Sequence, residues 1–558
     1  MSTPLPFWTA RYPKGVLKTV DREIDQYKSI LEVFEEACGK FPAKPAFTQM
    51  GKTITYSELN RKAESFAAYL QNELKLKKGD RLAIQMPNCL MYPVAMYGAI
   101  KAGIVVVNVN PLYTEREMKH QLNDAGCVAI VIVANFASHL QACLNETKVR
   151  HVIVTELGDM LGFPKSLMVN AVIKHVKKMV PDYSIPDAIP FKTALERGAS
   201  MTYTRVPMMP DEIAFLQYTG GTTGVAKGAM LTHRNLISNM EQIYTWVSPR
   251  LNDGEEIAIC ALPLYHVFAL TLHGLALLKL GTHNILIVNP RDIKGYIKEI
   301  KSLQFTLTSG VNTLFNGMMN HPDFGQIDFS KTKLSVAGGM ALQKAVALRW
   351  KDLTKSPVIE GYGLTETSPV VCCNPVDGTD RVGTIGLPVP STQVKMIKDD
   401  GTEAAIGEAG EMCVKGPQVM KGYWQRPEET IQAFTTDGWF KTGDIAVMDP
   451  DGFCRIVDRK KDMIIVSGFN VYPNEVEDVI ASCPGVLEVA AIGIPSEKSG
   501  EAVKVFIVKK DQSLTEQQVI DFAHKSLTNY KVPKFVEFRT DLPKTNVGKI
   551  LRRALKET

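Results

Sequence analysis

Apolar and polar residues alternate along the first half of the chain in two patterns, one helical and one strand-like. Thr55 and Glu58, three residues apart, predict a capping box at the start of a helix. The apolar residues that follow at helical spacing are Leu59, Ala63, Phe66, Ala67 and Leu70. Continuous apolar runs predict strands at residues 81–85, 104–107, 128–133 and 152–154, with a helix at 96–101. Such strands, separated by helices, are typical of parallel sheets with helices on both faces.

The same pattern returns later in the chain and then changes. Apolar runs predict further strands at residues 213–216, 257–260, 285–288, 334–337 and 357–359. From about residue 380, short strands with Gly/Asp turns predict a small β-rich subdomain. The last hundred or so residues predict a compact α+β module, with helices at 474–480 and 515–527 and strands at 489–494, 502–508 and 535–538. The charged stretch at 458–462 is a reasonable boundary for this module.

One basic amphipathic segment, at residues 163–181, stands apart from this alternation. Its apolar residues at helical spacing are Met168, Val172, Val176 and Met179, and its basic residues include Lys174, His175, Lys177 and Lys178. Two interpretations remain open. A helix of this kind can lie on an anionic membrane surface, or it can pack against its own protein.

Composition narrows the class of protein. The chain has 558 residues, of which 45% are hydrophobic and 22% charged, as in ordinary globular proteins. Because its formal net charge is only +5 and no long Lys/Arg block contains aromatics, nucleic acid is not an expected partner. The ten scattered cysteines form no CxxC pair, which favours free thiols in a reducing cytosol. Neither a signal peptide nor an apolar run of about 18 residues is recognisable.

The most chemically distinctive run follows the predicted strand at 213–216. Its residues are Tyr218, Thr219, Gly220, Gly221, Thr222, Thr223, Gly224, Val225, Ala226, Lys227 and Gly228. Glycines let a backbone approach an anion, and N–H groups, hydroxyls and a lysine can then surround phosphate oxygens. The alternative is a polar surface loop. A P-loop is disfavoured because Gly228, not Ser or Thr, follows Lys227.

Two further segments contain carboxylates suited to nucleotide chemistry. In residues 360–369, Tyr362 would stack on a purine if exposed on a strand-end loop, and one of the two carboxylates, beside phosphates, would hold Mg²⁺, which prefers oxygen ligands. The alternative is a turn packed by Tyr362. Asp444 ends the segment 439–444, and its two oxygens suit vicinal ribose hydroxyls. A Gly-Asp pair, however, also simply makes turns.

A histidine and a lysine complete the candidates. His266 lies among apolar residues at 262–268, where a core histidine is the alternative, and no G-x-S-x-G elbow suggests a hydrolase triad. Lys549 follows Gly548 near the C-terminus. On a mobile loop it could bring a point charge to a phosphoryl centre, or it could belong to a solvated basic tail with Arg552 and Arg553.

Together, in this order, these segments resemble the adenylate-forming superfamily, which includes acyl-CoA synthetases, nonribosomal adenylation domains and luciferases. The resemblance spans about residues 27–555, and the segments 288–292, 415–427 and 458–473 are similar to bacterial long-chain fatty acid–CoA ligases. It implies an α/β fold with a large N-terminal domain (1–458), a hinge (459–463) and a small mobile α+β C-terminal domain (464–558). It also implies that a fatty acid reacts with ATP to give acyl-adenylate and pyrophosphate, and then with CoA, releasing AMP and serving fatty acid degradation.

The resemblance also implies site residues. The implied ATP-binding residues are Tyr218, Thr219, Gly220, Gly221, Thr222, Thr223, Gly224, Lys227, Glu360, Gly361, Tyr362, Thr365, Asp444, Arg459, Lys461 and Lys549. The implied catalytic residues are Lys549, His266, Thr365 and Glu366. Mg²⁺ would lie at Thr219 and Glu366, and Gly468 would line the CoA pantetheine tunnel. Lys461 aligns with the hinge, and Lys549 would serve adenylation only.

Several alternatives stay open. The acid could be medium-chain or aromatic, or the acyl group could pass to a carrier protein. A catalytically silent lipid-binding protein need not keep Lys227, Glu366, Asp444 and Lys549 together, so it is disfavoured. The location is expected to be cytoplasmic. A peripheral position on the inner face of the cytoplasmic membrane, an anionic membrane surface as partner and a homodimer are left open.

Overall fold

The computed structural model describes residues 5–219, 226–496, 498–545 and 548–556. Its strands in chain order are β1 (Pro45–Gln49), β2 (Lys52–Thr55), β3 (Arg81–Gln85), β4 (Val105–Asn108), β5 (Ala129–Val133), β6 (His151–Thr155), β7 (Ile189–Pro190), β8 (Ile213–Thr219), β9 (Lys227–Thr232), β10 (Ile257–Cys260), β11 (His283–Leu286), β12 (Leu307–Gly310), β13 (Leu334–Ala337), β14 (Val358–Gly363), β15 (Val370–Cys373), β16 (Leu387–Pro388), β17 (Gln393–Ile397), β18 (Gly410–Lys415), β19 (Phe440–Met448), β20 (Cys454–Arg459), β21 (Ile464–Val466), β22 (Phe469–Val471), β23 (Val486–Ser496), β24 (Gly500–Lys509) and β25 (Phe535–Arg539).

The α-helices connect these strands. They are α1 (Asp21–Ile24), α2 (Ile30–Lys40), α3 (Tyr56–Asn72), α4 (Met91–Lys101), α5 (Glu115–Ala125), α6 (Ala137–Cys143), α7 (Lys165–Ala171), α8 (Phe191–Ala199), α9 (His233–Val247), α10 (Val267–Thr271), α11 (Leu277–Lys279), α12 (Ile293–Ile300), α13 (Asn312–Met319), α14 (Lys344–Thr354), α15 (Pro427–Ala433), α16 (Pro473–Ala481), α17 (Glu516–His524) and α18 (Arg552–Lys556). Short π-helical turns at Val172–Val176 and Leu272–Ala276 extend α7 and α10.

Two mainly parallel sheets form the large N-terminal part. One has the order β7-β6-β5-β3-β4-β8-β9 and is parallel except where β8 meets β9. The other has the order β16-β15-β14-β13-β12-β10-β11-β1-β2 and is antiparallel only at its two ends. One continuous cluster of buried apolar side chains includes strands of both sheets. The α/β class is therefore confirmed.

The helical prediction near Thr55 is also confirmed. Its hydroxyl accepts from the Glu58 N–H at 3.1 Å, and the Glu58 carboxylate accepts from the Thr55 N–H at 2.9 Å. The apolar face of α3 is buried as predicted, and every residue of α4 is buried. Helices α3 and α4 pack in the core because burial there shields their apolar side chains from water.

The C-terminal third is built from two smaller sheets. One is antiparallel, in the order β17-β18-β19-β20, and the other has the order β22-β21-β24-β23 with β25 parallel to β24. The second sheet and helices α16 and α17 share their own apolar cluster. Because β20 ends at Arg459 and β21 begins at Ile464, the predicted hinge falls in the link between the two sheets.

Several predicted boundaries are wrong by a few residues, and the helix predicted at 96–101 begins earlier, at Met91. The helix predicted to reach Leu527 ends at His524, because Ser526, Thr528 and Asn529 favour turns over helix. The strand predicted at 285–288 lies two residues earlier, as β11. All ten cysteines lie within the described ranges and are free thiols, and nine of them are buried. Among the described helices, none has the length and hydropathy needed to span a bilayer.

Candidate active site

The Gly/Thr-rich run connects β8 and β9. Thr219 ends β8 and pairs with Lys227, which begins the antiparallel strand β9. Lys227 is therefore held on a strand at the base of the connection rather than within a loop. Gly220, Gly221, Thr222, Thr223 and Gly224 lie outside the described residues. The described ends of the hairpin place a hydroxyl and a cation side by side.

A cavity of about 2010 Å³ brings most of the predicted site residues together. Its walls include Tyr218, Thr219, Lys227, His266, Glu360, Gly361, Tyr362, Thr365, Glu366, Asp444, Arg459, Lys461 and Lys549. Gly468 is not in the described lining. It lies exposed in the turn between β21 and β22 with φ +82°, a conformation that favours glycine. The structure thus separates the predicted CoA residue from the predicted ATP residues.

Tyr362 and Arg459 position the carboxylate of Asp444. The Tyr362 hydroxyl donates to Asp444 Oδ2 at 2.5 Å, and Arg459 Nε lies 3.5 Å from Asp444 Oδ1. Burial raises the pKa of Asp444, whereas the positive charge of Arg459 and the Tyr362 hydrogen bond oppose this rise. Tyr362 is half-buried within β14, so the picture of an exposed strand-end ring is wrong. Its hydroxyl has a structural partner that local sequence could not show.

Tyr423 links Glu366 to Lys227, and sequence reasoning missed it. The Tyr423 hydroxyl donates to Glu366 Oε1 at 2.7 Å, and Lys227 Nζ lies 5.2 Å from the centroid of the Tyr423 ring, within cation–π range. Tyr423 belongs to segment 415–427, which contributed to the family resemblance but predicted no role for Tyr423. The contact joins residues 57 positions apart, and no local pattern signals it.

The residues near Glu366 fit the proposed Mg²⁺. Burial raises the pKa of Glu366, and the Tyr423 hydrogen bond favours the ionised form. A carboxylate offers two acceptor oxygens, and Tyr423 occupies part of that capacity. Within the described ranges, no cluster of three or more His, Cys, Asp or Glu could hold a metal. One carboxylate with substrate phosphates is a common Mg²⁺ arrangement, so the absence of a full protein cage does not conflict with it.

Lys549 reaches the cavity from the C-terminal module. The Thr313 hydroxyl of α13 donates to the Gly548 carbonyl at 2.9 Å, and the Lys549 N–H donates to the Thr545 hydroxyl at 3.0 Å. A Cβ on Gly339 would stand 3.2 Å from Lys549 Cε, so the lysine packs closely over a bare backbone. Burial, followed by the positive charge of Arg459, lowers the pKa of Lys549 to about 8.

Arg552, which was expected in a solvated basic tail after Lys549, makes structural contacts instead, whereas Arg553 is exposed. Arg552 is mostly buried, and its Nη2 lies 2.7 Å from Glu477 Oε2 while its Nη1 lies 3.4 Å from Asp458 Oδ1. Asp458 also accepts from the Asn474 N–H at 2.8 Å. Asp458 is the last residue before the predicted hinge. These contacts therefore hold the chain next to the hinge in its present conformation.

His266 is a neutral hydrogen-bond donor in this geometry. It precedes α10, and its Nδ1 accepts from the Phe268 N–H at 3.4 Å. Burial, followed by the positive charge of Lys549, lowers the pKa of His266 to about 3. A neutral imidazole that accepts at Nδ1 carries its proton on Nε2. The residue is half-buried and lines the cavity, so it is not simply a core histidine.

The remaining predicted residues lie around the cavity in different ways. Glu360 Oε1 accepts from the Leu342 N–H at 3.1 Å, and burial raises the pKa of Glu360 to about 8. The Tyr218 hydroxyl donates to Asp124 at 2.6 Å, so it is committed to a structural partner. Thr365 begins a short 3₁₀ turn, and Lys461 is exposed at the rim.

Sequence comparison identifies the family. The family described as AMP-binding enzyme matches residues 34–424, and that described as AMP-binding enzyme C-terminal domain matches residues 475–549. The chain belongs to the AMP-binding enzymes. This AMP-binding enzyme is 55% identical over 550 residues to the long-chain-fatty-acid–CoA ligase of Escherichia coli O6:H1, covering 99% of this chain and 98% of the relative.

Two solved structures with 28–29% identity match this AMP-binding enzyme over nearly its whole length. ATP-bound MatB from Rhodopseudomonas palustris has a TM-score of 0.80 at 28% identity, and apo MatB from that organism has a TM-score of 0.72 at 29% identity. Both comparisons cover 94% of this chain and 98% of the other. Both structures share the overall fold of this AMP-binding enzyme.

Proposed function

We propose that this AMP-binding enzyme is an ATP-dependent long-chain fatty acid–CoA ligase that works through an acyl-adenylate. One observation carries the proposal. Lys549, from the C-terminal module, lies in one cavity with Glu366 and Asp444, which come from the N-terminal part. The full-length similarity to the E. coli ligase supports the same activity.

In the first step, a fatty acid carboxylate oxygen attacks the α-phosphorus of ATP and the bond to pyrophosphate breaks. The two reactants are anions, so the site must supply positive charge and hydrogen-bond donors where charge accumulates. Lys549 supplies one cation at the attacked phosphate. Lys227 and Thr219, with the connection between β8 and β9, hold the departing pyrophosphate. Thr365 donates its hydroxyl to the phosphate or carboxylate.

The nucleoside is held by the Asp444 cluster. Asp444 accepts hydrogen bonds from the ribose hydroxyls, and Tyr362 and Arg459 orient its carboxylate and favour its ionised form against the effect of burial. Adenine lies beside Tyr362 and Gly361. Glu360, mostly protonated below about pH 8, supports this edge of β14 through Leu342.

Mg²⁺ would be held by Glu366 and Thr219 together with the phosphates of ATP. When bound, it would neutralise phosphate charge during pyrophosphate departure. Tyr423 fixes the orientation of the Glu366 carboxylate, and its ring keeps Lys227 close to the same phosphates. The carboxylate and the lysine are thus positioned as one unit.

In the second step, the thiol sulfur of CoA attacks the acyl carbon, its proton passes to solvent, and the bond from the acyl carbon to the phosphate oxygen breaks to release AMP. Because Lys549 lines the cavity in the present conformation, we propose a rotation about Lys461 that withdraws Lys549 and brings Gly468 towards the acyl group. The pantetheine chain then passes beside Gly468, where the lack of a side chain leaves room. His266, neutral with its proton on Nε2, donates to the acyl oxygen.

The cavity also has an apolar wall suited to a fatty chain. Ile243, Trp246 and Val247 of α9 line it together with Val336 and Ile359 of the neighbouring strands. The test is CoA-dependent AMP formation across saturated fatty acids of increasing length, with benzoate included. We expect the highest kcat/KM for long chains. A preference for medium chains or benzoate, or acyl-AMP that CoA does not consume, would favour the alternatives instead.

The proposed location is peripheral, on the inner face of the cytoplasmic membrane, with an anionic lipid surface as partner. ATP, CoA and a fatty acid are the small-molecule substrates. A homodimer remains a prediction without a supporting contact in the described residues.

A further inference from the structure

Segment 163–181 exposes a continuous apolar surface that the active site does not use. No residue of α7 or of the π-helical turn after it is buried. The exposed fractions reach 85% at Phe163, 73% at Val176 and 64% at Met168. Leu167, Val172 and Met179 are also exposed. Exposed apolar side chains grouped on one segment mark an interaction site.

The segment is exposed although hydrogen bonds hold it to the rest of the protein. Asn170 Oδ1 accepts from the Gly158 N–H at 2.7 Å, and Asn170 Nδ2 donates to Asp159 at 3.1 Å. Asn135 Nδ2 donates to the Met179 carbonyl at 2.9 Å. Polar contacts therefore anchor the segment from beneath, while its apolar side chains face outward. The interpretation of a helix packed on its own protein is wrong for these side chains.

Charge indicates which partner covers the surface. Residues 163–181 contain four lysines and one histidine but no aspartate or glutamate. Lys174, Lys177 and Lys178 are exposed on the same segment as the apolar residues. The acidic groups beside the segment are Asp159, which accepts from Asn170, and Glu156, whose pKa is raised by burial while the positive charge of Lys174 opposes that rise. Apolar side chains flanked by lysines are the composition that binds an anionic bilayer.

A second copy of the chain is a poorer occupant. A two-fold contact would place the same patch on both sides of the interface. Lys174, Lys177 and Lys178 would then face their own copies, and like charges repel.

We propose that segment 163–181, with the neighbouring exposed Met50, docks on an anionic lipid bilayer. Lys165 hydrogen-bonds to the Met50 carbonyl and joins the two parts of the surface. Docking would place the enzyme where long acyl chains partition. This catalytic consequence rests on the proposed function, whereas docking itself does not.

The test is co-sedimentation of the full chain with vesicles of phosphatidylglycerol in phosphatidylcholine, compared with phosphatidylcholine alone. The wild-type chain should bind the anionic vesicles more tightly. The K174Q/K177Q/K178Q variant should lose on the order of a hundredfold in affinity for them, as expected for three lysines near an anionic surface. The L167S/M168S/V176S variant should lose roughly tenfold or more through reduced apolar burial.

Matched controls come from exposed positions elsewhere. K331Q/K351Q/K355Q and L348S/L353S alter exposed lysines and leucines outside the segment and should bind vesicles like the wild type. All variants should form acyl-AMP from a medium-chain acid without vesicles, which shows that the fold is intact. Absent wild-type binding, equal binding to neutral vesicles, or variants that bind normally would overturn the proposal. A change in oligomeric state alone would assign the surface to a second copy.

Vesicle binding needs no turnover, so it separates this proposal from the proposed function. A chain that binds anionic vesicles through this segment yet forms no acyl-CoA would retain the docking surface and contradict the ligase assignment. A chain that forms acyl-CoA but does not bind anionic vesicles would support the ligase assignment and contradict the docking proposal.

Discussion

The hydroxyl of Tyr423 donates a 2.7 Å hydrogen bond to the carboxylate of Glu366. The same ring lies beneath Lys227, so one side chain positions both a candidate metal ligand and a candidate phosphate-binding cation. The backbone reinforces this arrangement, because the Met420 N–H donates to the Glu366 carbonyl at 2.7 Å.

Replacing Tyr423 with Phe should weaken the Mg²⁺ response of the first half-reaction. The change removes the hydrogen bond to Glu366 but keeps a ring under Lys227. Because hydrogen bonds to charged groups contribute about 1.5–3 kcal/mol, we expect roughly a tenfold to hundredfold loss in kcat/KM and a higher Mg²⁺ requirement. Mg²⁺ titrations of pyrophosphate release provide the measurement.

The Tyr423→Leu variant serves as the matched comparison, since it removes the ring as well. It should also raise the KM for ATP, because Lys227 loses its ring contact. If Tyr423→Phe keeps the wild-type Mg²⁺ profile, Tyr423 does not position Glu366 for the metal.

The Thr313→Val substitution should impair adenylation selectively. It removes the hydroxyl that donates to the Gly548 carbonyl and so weakens the docked position of Lys549. The expected effect is about threefold to tenfold on acyl-AMP formation, the range for one neutral hydrogen bond. Thioesterification of supplied acyl-AMP should be unchanged. Thr313→Ser keeps the hydroxyl and should behave as wild type; equal losses in both half-reactions of Thr313→Val would argue against docking as the cause.

The adenylation step should lose kcat/KM as pH rises through about 8. The pKa of Lys549 is lowered to about 8, so the lysine is charged below that pH and neutral above it. Because kcat/KM reports the free enzyme, its pH profile is the appropriate measurement. Lys549→Arg keeps the positive charge to higher pH. The pH at which its remaining activity declines should therefore be higher than in the wild type.

Glu360 also titrates near pH 8, because burial raises its pKa to about 8. Glu360→Gln separates the two groups, since it fixes a neutral side chain that can still accept from Leu342. An alkaline limb that persists in Glu360→Gln belongs to Lys549. A limb that disappears in that variant would assign the titration to Glu360 and contradict the lysine account.

His266 should not titrate in the physiological range. Its pKa is lowered to about 3, so it stays neutral between pH 5 and 8 as judged against an ordinary value near 6.5. His266→Asn, which keeps a donor, should retain more activity than His266→Ala. An acidic limb near pH 6 that vanishes in both variants would show that His266 works as a cation instead.

The sequence predicts the fold well where patterns are local. The capping box at Thr55 and the apolar strand runs depend on neighbours in sequence, and the structure has them. Contacts across long separations could not be read in this way. Tyr362 and Asp444 are 82 positions apart, and neither their hydrogen bond nor the half-buried position of the Tyr362 ring in β14 is visible in the local sequence. Tyr423 was missed for the same reason.

The amphipathic segment shows a different limit. Periodicity in residues 163–181 indicated a helix with an apolar face but could not say whether protein or solvent meets that face. The answer depends on Asn170 and Asn135, whose polar contacts hold the segment with its apolar side outward. Such anchoring is a property of the tertiary structure.

The central claim is that Lys549 serves the first half-reaction and leaves the site before the second. The decisive measurement compares the two half-reactions separately in Lys549→Ala, with Lys510→Ala as a control at an exposed lysine of the C-terminal module that is not in the described cavity lining. Acyl-AMP formation from ATP and a long-chain fatty acid should fall by at least about a hundredfold in Lys549→Ala, while thioesterification of supplied acyl-AMP by CoA should persist. Equal loss of both half-reactions, or unchanged acyl-AMP formation, would contradict the account.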